Sequence, residues 1–263
     1  MKTILITGGA GFIGRSLINY FYEKNYKIII IDNLSSGYNN FRSNKKIVFI
    51  KGSINNANVL SEAFAHKPYY VIHLAALFAN QNSVDHPSKD LMTNGMGTLK
   101  ILEWSKKIGV KKIIYTSSSC VYGNKKIIKE NDNLMPGTPY AISKLVGEYY
   151  SKFWSDYYNL NIIVVRLFNV YGPGDFPGKY RSVVPNFVNN AINKKNLNIT
   201  GTGNETRDFT YIEDVVKIFE KLLKIKSKQF DIINIGSGKS EKLINIDKLI
   251  NKISNNPKKI IFK

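Results

Sequence analysis

The segment Thr7-Gly8-Gly9-Ala10-Gly11-Phe12-Ile13-Gly14 follows directly on the apolar run Ile4-Leu5-Ile6. An apolar strand that enters a glycine turn and then a helix is the context in which a dinucleotide-binding pattern acquires meaning. In such a turn Gly8 allows a tight reversal, Gly11 close backbone approach to a pyrophosphate, and Gly14 close packing of helix on strand. The helix behind it offers free N–H groups and a positive dipole end to phosphates. The other glycine pairs, Gly201-x-Gly203 and Gly236-x-Gly238, are read as ordinary loops.

A chain of 263 residues can form one large domain or two closely joined ones. Its hydrophobic fraction of 43% gives no sign of disorder. No apolar run approaches the roughly 18 residues that cross a bilayer, and the first residues lack the apolar stretch of a signal peptide. Cys120 has no second cysteine to pair with, which fits a reducing compartment. These features predict a soluble cytoplasmic protein with no membrane partner. The net charge of +19 raises the question of nucleic acid. Yet only Arg15, Arg42, Arg166, Arg181 and Arg207 are arginines, and the lysines are scattered rather than aligned in a stripe. That pattern argues against a nucleic-acid partner, while the positive surface would attract an anionic substrate or cofactor.

Strand-like apolar runs at residues 3–7, 27–32, 47–51, 70–75, 112–117 and 162–168 are interspersed with helix-like stretches at 12–24, 57–66, 91–107 and 140–158. Apolar strands alternating with helices predict an α/β fold, a doubly wound parallel sheet of Rossmann type covered on both faces. Ligands of such sheets bind at the carboxyl ends of the strands. After Phe168 the alternation breaks at the glycine-proline loop Tyr171-Gly172-Pro173-Gly174-Asp175-Phe176-Pro177-Gly178. Helices at 185–195 and 212–225 and a strand at 231–235 are expected beyond it, as a smaller cap over the cofactor.

Asp32 ends the second run. A carboxylate there can accept hydrogen bonds from the ribose hydroxyls and repel a 2′-phosphate, which favours NAD over NADP; the alternative is a turn residue in Asp32-Asn33-Leu34-Ser35-Ser36-Gly37. Tyr140 and Lys144 share a helical face through their spacing of four. A lysine ammonium beside a tyrosine stabilises the phenolate and lowers its pKa, so Tyr140 could take a proton from a sugar hydroxyl. The pairs Tyr20/Lys24 and Tyr122/Lys126 have the same spacing and are expected on the surface. Tyr140/Lys144 is distinguished by Pro139 at a helix start, beyond the fifth strand and its cluster Thr116-Ser117-Ser118-Ser119-Cys120-Val121-Tyr122-Gly123.

With that cluster ahead of Tyr-x-x-x-Lys, the sequence resembles the extended short-chain dehydrogenase/reductase family. More narrowly it is similar to the NAD-dependent sugar-nucleotide epimerase/dehydratase group, of UDP-glucose 4-epimerase type. The resemblance implies NAD held by Gly8, Gly11, Phe12, Ile13, Gly14, Asp32, Asn33, Ser53 and Ile54, with Leu74, Ala75 and Ala76 of His73-Leu74-Ala75-Ala76 lining it. It implies a sheet-supporting asparagine at Asn94, and Ser118, Tyr140 and Lys144 as the catalytic set, the last two also touching the cofactor. Ser118, Asn169 and Arg207 would bind a nucleoside-diphosphate sugar, a fork of donors on arginine being suited to phosphate. Residues 1–168 are then the NAD-binding domain. Residues 169–263 are mainly a substrate-binding region with segments returning to the sheet. Relatives are expected to dimerise through the helices at 91–107 and 140–158.

Three departures refine these expectations. Ser119 and Cys120 stand where relatives that dehydrate or decarboxylate carry an acid. Ser53 stands where an aspartate is more typical beside adenine. Relatives also continue past the strand that residues 258–263 resemble, so either the C-terminal region is expected to be shortened or its substrate site partly incomplete. Cys120 occupies the position of an acid/base cysteine in relatives that epimerise C3 and C5 of a GDP-sugar. Residues 180–185 lack the histidine or lysine such enzymes pair with it, and Cys120 is expected to be a small buried filler. The sequence thus predicts C4 epimerisation of a nucleoside-diphosphate sugar through a 4-keto intermediate. The alternatives are a 4,6-dehydratase, a 4-ketoreductase, a 3,5-epimerase, or a non-catalytic dinucleotide-binding or RNA-associated protein.

Overall fold

The computed structural model describes residues 1–38, 41, 44–78, 80–125, 127–199, 201–226, 229–257 and 260–262. The strands are β1 (Thr3–Thr7), β2 (Lys27–Asp32), β3 (Ile47–Lys51), β4 (Tyr70–His73), β5 (Lys112–Ser118), β6 (Ile162–Leu167), β7 (Asn169–Tyr171), β8 (Leu197–Ile199), β9 (Thr206–Tyr211), β10 (Phe230–Ile235), β11 (Ser240–Lys242) and β12 (Ile260–Phe262). The α-helices are α1 (Phe12–Glu23), α2 (Ala57–Ala65), α3 (Asn80–Asp85), α4 (Pro87–Asp90), α5 (Gly97–Ile108), α6 (Pro139–Tyr158), α7 (Val183–Ile192), α8 (Ile212–Lys224) and α9 (Leu243–Ile253).

Seven parallel strands form the central sheet in the order β10-β6-β5-β4-β1-β2-β3. Successive side chains of a strand point to opposite faces, and both faces here are apolar. Ile4 and Ile6 join a core with Leu17 and Phe21 of α1 and Val215 and Phe219 of α8. Leu5 joins the opposite core with Phe64 of α2 and Ile101 of α5. Helix layers on both sides make the fold doubly wound. The order reverses between β1 and β4, and a crevice opens at their carboxyl ends.

The predicted strands of the sheet recur within two residues at each end. The run at 70–75 stops at His73; the Leu74 amide still donates to the Thr7 carbonyl at 3.1 Å, and Leu74–Ala76 continue along the cavity wall. The expected helix at 91–107 is corrected more substantially. After α4 the backbone widens into a π-helical turn, Leu91–Met96, before α5 begins. Such a turn carries one residue more than an α-turn, and here it directs the Asn94 amide inward to Asp90 and Ser143. The helix expected at 185–195 is α7, which admits Pro185 in its first turn and ends before Lys194, where φ is 52°. The short strands β7, β9 and β11 form a second sheet, and β8 pairs with β12. Residues 258, 259 and 263 of the strand-like C-terminal run lie outside the described residues. The chain re-enters the central sheet late, since β10 pairs with β6 and α8 lies against α1.

Among the described residues one ion pair is wholly inside. Arg166 Nη2 and Nε donate to Glu148 Oε2 and Oε1 at 2.6 and 2.9 Å, and Arg166 Nη1 donates to the Tyr122 hydroxyl at 2.6 Å. Removing one member of such a pair strands a charge, at a cost of about 3–5 kcal/mol, whereas apolar replacement of both is far milder. Arg166→Met should therefore lower unfolding free energy by that amount in chemical denaturation. Arg166→Met/Glu148→Leu should lose clearly less than the two single changes added together.

Candidate active site

A cavity of about 510 Å³ opens at the carboxyl ends of β1, β2, β4 and β5, a volume typical of small-molecule and cofactor sites. Its lining includes every candidate cofactor-binding, substrate-binding and catalytic residue of the sequence reading except Asn94. One end is built by the glycine turn. Gly8 has φ 69°, and a Cβ there would stand 2.7 Å from the Ala75 nitrogen. A Cβ on Gly14 would stand 2.6 Å from the Gly8 carbonyl oxygen, so α1 starts in direct contact with the turn.

Asp32 closes this end of the cavity. Its Oδ2 accepts from the Ala10 amide at 2.9 Å and its Oδ1 from the Leu34 amide at 2.8 Å. Burial pushes its pKa up and these two bonds pull it down. Asp32 thus fixes the turn, and its carboxylate also faces the cavity with lone pairs remaining for ribose hydroxyls. Asn33, Ser53 and Ile54 line the same end, and Leu74–Ala76 form the wall beside it. The glycine cradle, the acceptor at Asp32 and the buried, unpartnered Thr116 Oγ1 on the cavity wall fit a dinucleotide.

Tyr140 and Lys144 stand farther along the cavity, beside the carboxyl end of β5. Thr138 caps α6 by accepting from the Ala141 amide at 3.2 Å, and Pro139 occupies the first turn, where its missing N–H costs nothing. The Tyr140 amide donates to Ser83 Oγ at 3.0 Å. Both side chains are buried. Lys144 Nζ donates to the Thr116 carbonyl at 2.6 Å and lies 5.2 Å from the Tyr115 ring centre and 6.0 Å from that of Tyr140. Burial lowers its pKa to about 8, against the pull of Asp90 and Glu148. The expected lowering of the Tyr140 pKa is corrected by this geometry. Burial raises it, the Cys120 thiol and Asp90 add to the rise, and the Ser118 hydroxyl beside it opposes. Unaided, the protein holds Tyr140 as a phenol.

Asn94 lies behind the cavity wall, buried, where it accepts from the Leu77 amide at 2.8 Å. Below it, Thr98 Oγ1 gives its one proton to the Asn94 carbonyl, 2.5 Å away. His73 Nε2, 2.9 Å from that hydroxyl, is therefore the donor, and Nδ1 accepts from Thr7 Oγ1 at 2.6 Å. Burial, then Lys144, lowers the His73 pKa to about 3, keeping the ring neutral.

The side of the cavity away from the glycine turn is made by the cap. Asn169 donates from Nδ2 to the Asp208 carbonyl at 3.0 Å, and exposed Arg207 donates to the Thr206 carbonyl at 2.8 Å. Both line the cavity, as do Asp175, Tyr180 and Arg181 of the loop after β7. That loop crosses the mouth. Arg181 Nη2 donates to the Ser36 carbonyl at 2.5 Å, Phe176 meets Tyr38 edge-on at 5.0 Å, and the Tyr180 hydroxyl donates to Asp85 Oδ2 at 2.8 Å. The glycines and prolines of 171–178 signalled a loop without saying what it would cover. Phe78, Asn80 and Gln81 also line the site and carried no sequence signal.

Two further expectations are corrected. Cys120 is half-buried and lines the cavity, with Asn80 Nδ2 at 3.8 Å from its sulfur, so it is not a buried filler. Tyr122 is fully buried, its hydroxyl donating to Asn234 Oδ1 at 2.8 Å, because Arg166 needs an acceptor inside. Its expected partner Lys126 lies outside the described residues. Half-buried Tyr20 has exposed Lys24 over its ring at 5.3 Å, and its hydroxyl also donates to Glu220 at 2.5 Å. Among the described residues no cluster of His, Cys, Asp or Glu is placed to hold a metal ion, and no helix is long and apolar enough to cross a membrane.

The model of the NAD dependent epimerase/dehydratase family matches residues 4–236. A Methanocaldococcus jannaschii protein provisionally named a UDP-glucose 4-epimerase is 38% identical over 239 residues, covering 90% of this chain and 77% of that protein. The structure of an epimerase from Methanothermobacter thermautotrophicus superposes with a TM-score of 0.95 at 43% identity, over 100% of this chain and 80% of the other. That of UDP-glucose 4-epimerase from Thermotoga maritima, with UDP-glucose, superposes with a TM-score of 0.93 at 36% identity, over 99% and 85%. With its glycine turn, its Ser118, Tyr140 and Lys144 at one strand end, and a family match over most of its length, the chain belongs to the NAD-dependent epimerase/dehydratase family of sugar-nucleotide enzymes.

Proposed function

We propose that this protein interconverts the C4 epimers of a nucleoside-diphosphate sugar through a transient 4-keto sugar. One observation carries the reading. A single cavity holds the glycine turn and Asp32 at one end, Asn169 and Arg207 at the other, and Ser118 beside Tyr140 between them. Gly8, Gly11, Gly14 and Asp32 would hold NAD, with Phe12, Ile13, Asn33, Ser53, Ile54 and Leu74–Ala76 around it. Bound NAD supplies a hydride acceptor and, when oxidised, a cationic ring that favours a nearby phenolate.

Within that arrangement Tyr140 takes the proton of the sugar C4 hydroxyl as C4 gives up its hydride, and Ser118 donates a hydrogen bond to the same oxygen. Lys144 anchors the ribose and contributes positive charge. Arg207 offers its fork to the diphosphate and Asn169 its amide to the sugar-phosphate. Asn94 supports the wall from behind. After the keto sugar turns over, Tyr140 returns the proton while hydride returns to the other face. Ser119 and Cys120 offer no acid for loss of water, which favours epimerisation over dehydration. Asp32 disfavours the 2′-phosphate of an NADP-dependent reductase. A 3,5-epimerase is a second reading because Cys120 and Lys179 both line the cavity, yet Lys179 Nζ is tied to the Tyr180 hydroxyl at 2.9 Å and to Asp85 at 3.5 Å.

The outward face of α6 carries Ile142, Tyr149, Phe153 and Tyr157, all exposed, with Leu91 and Met92 of the preceding π-helical turn also exposed. A second copy of the chain would cover this apolar stripe, making the protein a homodimer.

Purified protein with NAD should interconvert UDP-glucose and UDP-galactose, or their N-acetyl forms, without incorporating solvent deuterium at C3 or C5. Tyr140→Phe should lose about 10²- to 10⁴-fold in kcat. Deuterium uptake at those carbons would favour the second reading, and no turnover of any of these sugars would exclude the first. Activity should fall as pH rises through about 8, because burial lowers the pKa at which the Lys144 ammonium gives up its proton. Residual activity of Lys144→Arg should lack this limb, since a guanidinium does not titrate there. Phe153→Glu/Tyr157→Glu should sediment as a monomer where the parent protein sediments as a dimer.

A further inference from the structure

Beneath the cavity lies a carboxylate that the proposed reaction leaves unused. Asp90, the last residue of α4, is fully buried. Its Oδ1 accepts from Asn94 Nδ2 at 2.8 Å, and its Oδ2 is buried with no hydrogen-bond partner. The same Asn94 amide group donates to Ser143 Oγ at 3.0 Å, and Ser143 Oγ donates to the Tyr140 carbonyl at 3.1 Å. This path runs from Asp90 through the π-helical turn into the first turn of α6. Burial pushes the Asp90 pKa up, while Ser143 and then Lys144 pull it down; a nearby positive charge offsets the cost of burying a carboxylate.

The charges around Asp90 identify that cation. On α6 it acts on Lys144 and Tyr140, and on β5 on Tyr115. His86 and Lys89 of its own segment are exposed, and Asp85 of α3 is engaged by Tyr180 and Lys179. Lys144 forms no ion pair within 4.0 Å among the described residues; its hydrogen bond goes to the neutral Thr116 carbonyl. Asp90 and Lys144 are both buried, each favours the charged form of the other, and among the described residues no ion pair within 4.0 Å joins them.

We propose that Asp90 is a positioning residue for the reaction: its buried charge keeps Lys144 an ammonium, and its hydrogen bond to Asn94 fixes the turn of α6 that carries Tyr140. This inference rests on the reading of Tyr140 and Lys144 as the acid–base pair. Removing the charge takes a negative neighbour from both groups. Lys144 then gives up its proton at lower pH, and so does Tyr140, so both limbs of the pH profile move the same way.

The test compares the NAD-loaded parent protein with Asp90→Asn, which keeps an acceptor for Asn94 but no charge. Asp90→Ser, smaller and also neutral, reads the same quantity if the asparagine variant does not fold. Both limbs of kcat against pH should move to lower pH by roughly one unit. Phenolate absorbance of the NAD-loaded protein, taken as the difference from the same protein carrying Tyr140→Phe, should titrate lower by a similar amount. The titration requires no sugar. A shifted phenolate titration in a protein whose parent turns over no sugar nucleotide would support Asp90 while removing the epimerase reading. Unmoved limbs and an unmoved titration in a folded variant, even with reduced kcat, would overturn the proposal, since lost packing lowers activity without moving either proton.

Discussion

Everything chemical in this protein depends on how closely α6 is pressed onto β5. Gly147 has no room for a side chain, because a Cβ there would stand 2.2 Å from the Tyr115 hydroxyl. That hydroxyl donates to the Lys144 carbonyl at 3.0 Å, and Lys144 Nζ returns a bond to the Thr116 carbonyl. One turn on, Glu148 accepts from Ser117 Oγ at 2.5 Å and takes the guanidinium of Arg166 from β6. Tyr140, Ser143, Lys144, Gly147 and Glu148 recur at helical spacing along one buried face. The face is polar where a helix on a sheet would ordinarily be apolar, and hydrogen bonds replace hydrophobic contact as the adhesive. The catalytic candidates are thereby held by the element that attaches the helix to the sheet, so they have little freedom to drift.

The cap meets this rigid half through contacts of another kind. Arg181 with Ser36, Phe176 with Tyr38 and Tyr180 with Asp85 join a glycine-rich loop to both rims of the cleft. Most of these groups are exposed or half-buried, where polar contacts contribute little stability. A floor built from buried bonds and a cover built from exposed ones suits a site that must retain one molecule while admitting another.

What the sequence made legible follows from these forces. The sheet could be read because β1, β2 and β4–β6 are buried on both faces, and continuous Ile and Val runs have no other home. The glycine turn could be read because sterics admit only glycine at Gly8. Tyr140 and Lys144 could be placed because Pro139 marked a helix start. The three-residue strands β7, β8 and β11 could not, since pairing with distant partners and no local pattern creates them. Nor could the π-helical turn, whose cause is the inward demand of Asn94, Asp90 and Ser143, three polar groups that meet only in space. The direction of the Tyr140 pKa shift could not be read for a related reason. Spacing shows that a lysine is near, whereas burial, which dominates here, belongs to the fold.

That reversal bears on how the site would work. Burial holds Tyr140 as a phenol and draws Lys144 toward neutrality, the resting state that a low-dielectric pocket prefers for both. Asp90 and Glu148 oppose this at Lys144, while Asp90 reinforces it at Tyr140. These groups therefore favour an ammonium at Lys144 and a phenol at Tyr140. A cation placed in the cavity above Tyr140 would tip that balance, and loss of its charge would tip it back. The proton at Tyr140 would then follow the charge of whatever lies against it, without any moving part in the protein.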